Sequence, residues 1–253
     1  FADNLKSAPA EVADEFGNLM VQYQGRVCPV NTLAVDFCRK LYKSNSYKGY
    51  SANQVLCGWM FYPMEWRENI SLDPSSPKDN QKILLIESLI DGNLLKIFPV
   101  KLDEKSSITW IGRSAFLPES ISVGEWTFIR KVQNYLQQLV MSKQNVDAVD
   151  LIKQINKYQY KKADRYIPTK FRQNIEIVYN HLTQTRIVAF LCLTIGILFM
   201  VVTIVFIARN KKMFKWIDVF QKSFVFVIFL YLLALFSMRW IALESVPLTS
   251  GYE

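Results

Sequence analysis

The spacing of apolar residues changes three times along this chain. From Ile187 to Ala208 it is continuous, reading IVAFLCLTIGILFMVVTIVFIA without one charge. A helix rising about 1.5 Å per residue carries such a run across the roughly 30 Å hydrocarbon core of a bilayer. Gly196, Thr194 and Thr203 do not interrupt it, because a helix satisfies its own backbone groups in lipid. Buried helices of water-soluble proteins seldom exceed about 14 uncharged apolar residues, so the run predicts a membrane span. A second run, Ser223 to Met238, is extended at its start by Val219 and Phe220. There Lys222 can snorkel, and Trp216 and Trp240 stand where interfacial aromatics belong.

Before these spans the pattern is that of a water-soluble domain. Leu19–Tyr23 and Arg26–Cys28 flank Gln24-Gly25 and predict two short strands around a turn ended by Pro29. Leu33, Phe37 and Leu41 recur at helical spacing behind Asn31 or Thr32 as cap, and Ser51 caps a second helix carrying Val55, Trp59 and Met60. Ile83–Ile86 and Leu94–Phe98, separated by Asp91-Gly92-Asn93, read as a hairpin in a β-rich middle, with Ile108–Ile111 a third strand. From Trp126 the period is helical: one helix carries Phe128, Val132, Tyr135, Leu136 and Leu139, another Val149, Leu151, Ile152 and Ile155. Pro168 suits the first position of a third, with Phe171, Ile175, Val178 and Leu182, and no breaker separates it from Ala208. The predicted fold class is an α+β domain followed by an α-helical transmembrane hairpin.

Composition fits two solvents in one chain. Of 253 residues, 51% are hydrophobic and 21% charged, too apolar for a disordered tail. Four Cys are too sparse for a disulfide-stapled secreted domain. Arg209, Lys211, Lys212 and Lys215 put four positive charges into the short loop between the spans, which the positive-inside rule makes cytoplasmic. Lys161, Lys162, Arg165, Lys170 and Arg172 oppose that orientation, but long domains translocate with little regard to charge. The expected organisation is an extracytoplasmic domain at 1–185, spans at 186–208 and 219–241 around a cytoplasmic loop at 209–218, and the start of an external segment at 242–253. The chain begins at Phe1 and ends at Glu253, and both ends read as cuts within a longer protein.

Candidate chemistry is sparse. His181, the single histidine, is a weak haem-ligand candidate: it has no Cys or carboxylate partner nearby in sequence, and an interfacial polar role accounts for it better. A Ser-His-Asp or Cys-His arrangement would have to use this one imidazole, so no catalytic residue is assigned. Cys28, Cys38 and Cys57 form no CxxC or CxxCH, which leaves one disulfide with one thiol over, or three buried thiols. There is no GxG to cradle a phosphate and no assigned metal ligand. Lys157–Tyr166 interleaves bases with aromatics, as single-strand binders do. On an extracytoplasmic segment the better partners are solvent and lipid headgroups, and no nucleic acid is expected.

Three ordered segments resemble System II cytochrome c biogenesis proteins, in which a CcsB (ResB-like) part is fused to a CcsA (ResC-like) part. Phe16–Ala34, with Gly25, Arg26, Pro29 and Thr32, resembles the FGxLxVxxxGRxxPxxTLA segment between the two parts. Glu176, Tyr179 and Asn180 resemble the ExxYN that leads into the following membrane helices. Arg239-Trp240, then Pro247, Gly251, Tyr252 and Glu253, is similar to the RW…APxSNGYE opening of the CcsA part, with Val246 in place of Ala and Thr249-Ser250 in place of Ser-Asn. The resemblance implies a bacterial inner-membrane, multi-pass protein with this domain periplasmic. It further implies that the parent exports haem and attaches it to apocytochrome c, that haem is its cofactor, and that its partners are apocytochrome c and the remaining ResB-like and CcsA-like parts of the chain. The family's paired histidines have no match here, so the haem ligands are expected outside this segment. The competing function class is a membrane-anchored extracytoplasmic ligand-binding or sensory interaction module, and an isolated hydrolase is a distant third.

Overall fold

A computed structural model describes residues 5–101, 108–118, 121–182, 185–209 and 214–243. The chain divides into two compact units, residues 1–173 and 174–253. The described residues are mostly helical, with three two-stranded sheets among them and two apolar helices toward the C-terminal end.

The first unit opens with α1 (Ala10–Gly17), followed by the hairpin of β1 (Met20–Tyr23) and β2 (Arg26–Pro29). Gln24 and Gly25 both have positive φ, 48° and 82°, the backbone that a two-residue turn between twisted antiparallel strands requires. Next come α2 (Val30–Tyr42), the two-residue strands β3 (Ser46–Tyr47) and β4 (Tyr50–Ser51), and α3 (Ala52–Phe61). Ser51 caps α3 in a full capping box with Gln54, as its position predicts. The cap expected at Asn31 or Thr32 is a different matter: α2 starts earlier, at Val30 behind Pro29. Asn31 is instead buried and donates to Asn53 Oδ1 at 3.0 Å, while Asn53 donates to Asp14 Oδ1 at 3.0 Å. These amides tie α1, α2 and α3 together inside the core.

The β-rich middle is largely helical. α4 (Pro63–Glu68) is followed by α5 (Pro77–Ile90), which contains the expected strand Ile83–Ile86. Ile86 and Leu89 face the core, at helical spacing. Gly92, with φ 81°, receives the end of α5, and the Gly92 and Leu94 amides return to the Leu89 and Ser88 carbonyls. Positive φ at Gly serves a helix stop as well as a hairpin turn, and here it stops a helix. The strand that follows, β5 (Phe98–Lys101), pairs antiparallel with β6 (Ile108–Ile111), Phe98 opposite Ile111.

α6 (Val123–Met141) and α7 (Asn145–Ala163) match the helical stretches read from Trp126 onward, and a short 3₁₀ turn, Asp164–Tyr166, follows. The side chain of fully buried Gln159 clamps three backbone groups: it accepts from the Met20 amide at 2.9 Å and donates to the Met20 and Ile97 carbonyls at 2.8 Å each. Pro168 lies two residues before α8 (Lys170–Leu182) rather than at its first position, because the Thr169 carbonyl takes the first helical bond, from the Gln173 amide.

The second unit holds the rest of α8 together with α9 (Thr185–Ala208) and α10 (Lys215–Leu243). Residues 183 and 184, on which continuity of α8 into α9 depends, lie outside the described residues. Val188–Ala208 and Lys215–Ala242 are long and apolar enough to cross a membrane, at 21 and 28 residues. A soluble core helix would be buried, whereas these leave Phe190, Leu193, Ile207, Phe226 and Val227 more than half exposed. Thr194, Thr203 and Ser237 return their hydroxyls to helix carbonyls one turn back, which removes their need for water. Lys222 is paired with Asp218 at 2.7 Å. Edge-to-face contacts of Phe199 with Phe220 and Phe224 join α9 to α10, and Phe206 meets Phe214, the residue just before α10, in the same way.

Candidate functional site

Polar side chains of α8 and α10 converge in the second unit. On α8, Glu176, Tyr179 and Asn180 stand three and four residues apart and so share one helix face. Glu176 is 4% exposed and Asn180 8% exposed. Opposite them, α10 contributes Arg239, whose Nη1 donates to the Tyr179 hydroxyl at 3.2 Å and whose guanidinium lies 5.8 Å from the centre of the Tyr179 ring. The aromatic ring and the phenol oxygen thus both lie within reach of one cation, a cation–π distance supplementing the hydrogen bond. One helical turn before Arg239, Leu235 is buried, and another turn before that the Tyr231 hydroxyl donates to the Leu182 carbonyl at 3.2 Å. The same α10 face therefore meets α8 at Tyr231 and at Arg239, running antiparallel to it.

Tyr179 and Arg239 are 60 residues apart and come from two of the three family-like segments. Trp240, next to Arg239, is half exposed and packs edge-to-face on Phe236. Pro247, Gly251, Tyr252 and Glu253 lie outside the described residues. Gly25, Arg26, Pro29 and Thr32 belong to the first unit: Gly25 at the hairpin turn, Arg26 and Pro29 at the two ends of β2, and Thr32 in the first turn of α2.

His181 is exposed on α8. Among the described residues, no three His, Cys, Asp or Glu side chains converge on a metal-sized site. A haem pocket needs apolar walls around one or two axial ligands, and an exposed imidazole without a second ligand among the described residues does not fit that description. Cys28, Cys38 and Cys57 are buried free thiols, and burial pushes the Cys38 thiol up to about 12 and raises Cys57 as well.

The first unit carries polar groupings that sequence reading missed. The Tyr23 hydroxyl donates to Asp36, and Lys40 contacts both, reaching Asp36 at 2.8 Å and the Tyr23 oxygen at 3.2 Å. Burial, then the bond to Asp36, raises the Tyr23 phenol above its ordinary value. The signal was available, since Asp36 and Lys40 are spaced i,i+4 on a helix, but nothing local points to Tyr23. Lys40 also lines a cavity of about 640 Å³ with Lys43, Ser76, Lys78, Asp79 and Lys82. Its charge is partly internal, because Lys82 pairs with Asp79 at 2.7 Å. The basic and aromatic stretch Lys157–Tyr166 is used inside the fold. Tyr158 and Lys162 both bind Glu125, at 2.8 and 2.9 Å, and Tyr160 accepts from Gln173 at 2.9 Å.

No protein-family model matches the chain. It is similar to Protein NrfI of Wolinella succinogenes, 24% identical over an alignment of 224 residues that covers 68% of this chain and 24% of the relative. The chain therefore spans about a quarter of that relative's length.

Proposed function

We propose that this chain is a segment of a membrane-bound cytochrome c biogenesis protein: the domain linking a ResB-like part to a CcsA-like part, with the first membrane hairpin that follows. The parent protein moves haem to the outer face of the bacterial inner membrane and attaches it to the thiols of apocytochrome c. In this reading the first unit is periplasmic and the basic 209–218 connection cytoplasmic. Apocytochrome c and the other parts of the same chain are its partners. Similarity to Protein NrfI supports the cytochrome c biogenesis role in its general form.

The observation that carries the proposal is the Tyr179–Arg239 contact. Two segments chosen for their likeness to one family, and separated by both apolar helices, meet through the residues that define each likeness. An unrelated two-span anchor has no need of that pairing. The chemistry of this segment is positional. Arg239 held against Tyr179 fixes the end of α10, and whatever follows it, against the helix leaving the first unit. Haem binding is assigned to the parent, with ligands outside this segment, and no acid-base step is assigned to His181.

The test is made in cells lacking the parent gene. Restoring the intact gene returns haem-staining c-type cytochromes, and Arg239→Leu lowers their yield at equal protein level. If deletion leaves the c-type cytochromes fully haem-loaded, the assignment is wrong, and a sensory or ligand-binding module takes its place.

A further inference from the structure

α8 is built inside out. Toward its C-terminal end Glu176 and Asn180 are buried, while Val178 and Leu182, four residues apart on another face, are 46% and 42% exposed, with the exposed His181 beside them. Lys170 and Asn174, nearer its start, are exposed as in an ordinary water-facing helix. A surface helix in water does the reverse, because burying a carboxylate costs far more than burying a Leu. The arrangement is the ordinary one where the surrounding solvent is hydrocarbon and polar groups face the protein interior.

The packing partner fixes where on the membrane this happens. Tyr231, which binds the Leu182 carbonyl, lies in the middle of the apolar Ser223–Met238 run, and Arg239, which binds Tyr179, stands one residue past its end. Eight residues of helix separate the two, about 12 Å along α10. The last turn of α8 thus runs beside the apolar run itself, not beyond it. Its exposed Val178 and Leu182 continue the apolar surface of α9 and α10, in which Val188–Ala208 has no buried residue.

We infer that the end of α8, from about Val178 to Leu182, is embedded in the acyl-chain region of the leaflet on its own side. Val178 and Leu182 contact lipid there, the exposed His181 between them reaches toward the headgroups, and Glu176, Tyr179, Asn180 and Arg239 are polar side chains turned away from the acyl chains. The membrane segment then starts roughly two helical turns earlier than hydropathy alone places it. This rests on the chain crossing a membrane and not on the cytochrome c reading, so the two stand or fall separately.

The test uses the full-length protein in lipid nanodiscs, with nitroxide labels on Val178→Cys, Leu182→Cys and, as the water-exposed reference on the same helix, Asn174→Cys. All three positions are at least partly exposed, so labelling does not disturb a core, and the unsubstituted protein gives the background from its own thiols. At Leu182 collisions with oxygen should exceed those with a water-soluble nickel complex severalfold, with a smaller excess at Val178 and the opposite order at Asn174. Preference for the nickel complex at Leu182 would place the helix end in water. Low collision rates with both reagents would mean that another protein segment covers the face. Either result overturns the inference.

Discussion

The two units solve opposite problems with the same residue types. In the first, aromatic side chains go inward: Trp66 is fully buried, packs on Trp59, Tyr47 and Tyr50 at 6.0–6.3 Å between ring centres, and donates its indole N–H to the Lys6 carbonyl at 2.8 Å. Gly58 leaves the room, since a Cβ there would lie 2.3 Å from the indole. In the second unit Phe190, Phe226 and Phe229 point outward at 67%, 60% and 58% exposure, while a carboxylate, an amide and a guanidinium-bound phenol turn in. Hydrophobicity therefore does not report burial in this molecule. It reports which solvent a segment meets.

The strongest way to break that contrast is to truncate an aromatic on each side. Trp66→Ala should lower the stability of the first unit by about 3–5 kcal/mol, the range for a fully buried aromatic. Phe226→Ala should change the unfolding midpoint in detergent by less than about 0.5 kcal/mol, because its ring already meets the surroundings. Equal losses, read from denaturant titrations followed by tryptophan fluorescence and circular dichroism, would erase the distinction. Gln159→Leu comes next. It keeps the volume but strands the Met20 amide and the Met20 and Ile97 carbonyls, and it should cost about 3 kcal/mol. A loss below about 1 kcal/mol would mean that water replaces the clamp.

The contrast also explains what the sequence could and could not disclose. The spans were legible because lipid demands an uninterrupted apolar run, and Ile187–Ala208 supplies one. The first hairpin and the Ser51 cap were legible because their signals are local: Gln24-Gly25 for the turn, and Gln54 three residues after the Ser. The strand expected at Ile83–Ile86 failed because four apolar residues in a row fit either period, and only core contacts of Ile86 and Leu89 decide for helix. Asn31 failed as a cap because its amide is used across the core by Asn53, 22 residues away. At the candidate site, ExxYN and RW were visible as separate segments. Their meeting was not, since a contact across 60 residues has no local signature. The burial of Glu176 was equally hidden, because nothing in a sequence says that a helix will turn its charge inward.

Alkali should destabilise the first unit. The Cys38 thiol stands near 12 when folded, against an ordinary 9.0, because burial opposes the thiolate. Burial likewise raises Tyr23, Tyr42 and Tyr158. Each of these groups holds its proton longer in the folded state, so the unfolded state binds fewer protons over the interval between the two values. Stability is intact well below pH 9 and falls as pH rises, with Cys38 alone removing on the order of 1 kcal/mol by pH 10. Cys38→Ala should flatten the decline between pH 9 and 10 while costing some stability at pH 7. An unchanged slope in that interval, measured by thermal melts at stepped pH, would show that the thiol is not the titrating group.

The smallest effect bears most directly on the polar cluster. Tyr179→Phe removes one hydroxyl and keeps the ring, so it deletes the 3.2 Å bond from Arg239 but not the aromatic ring near it. A hydrogen bond to a charged donor contributes about 1.5–3 kcal/mol in favourable settings, and both partners here are only half-buried, so a cost near ~1 kcal/mol is expected. Arg239→Lys should cost more than Tyr179→Phe, because an ammonium can keep the hydroxyl bond but lacks the planar fork of donors that a guanidinium presents to its surroundings. In the double variant the two losses should fail to add, since the partners share one interaction. Additive losses would mean that Tyr179 and Arg239 act independently. The polar faces of α8 and α10 would then be neighbours without being partners, and the inward turn of Glu176 and Asn180 would need a cause other than this pair.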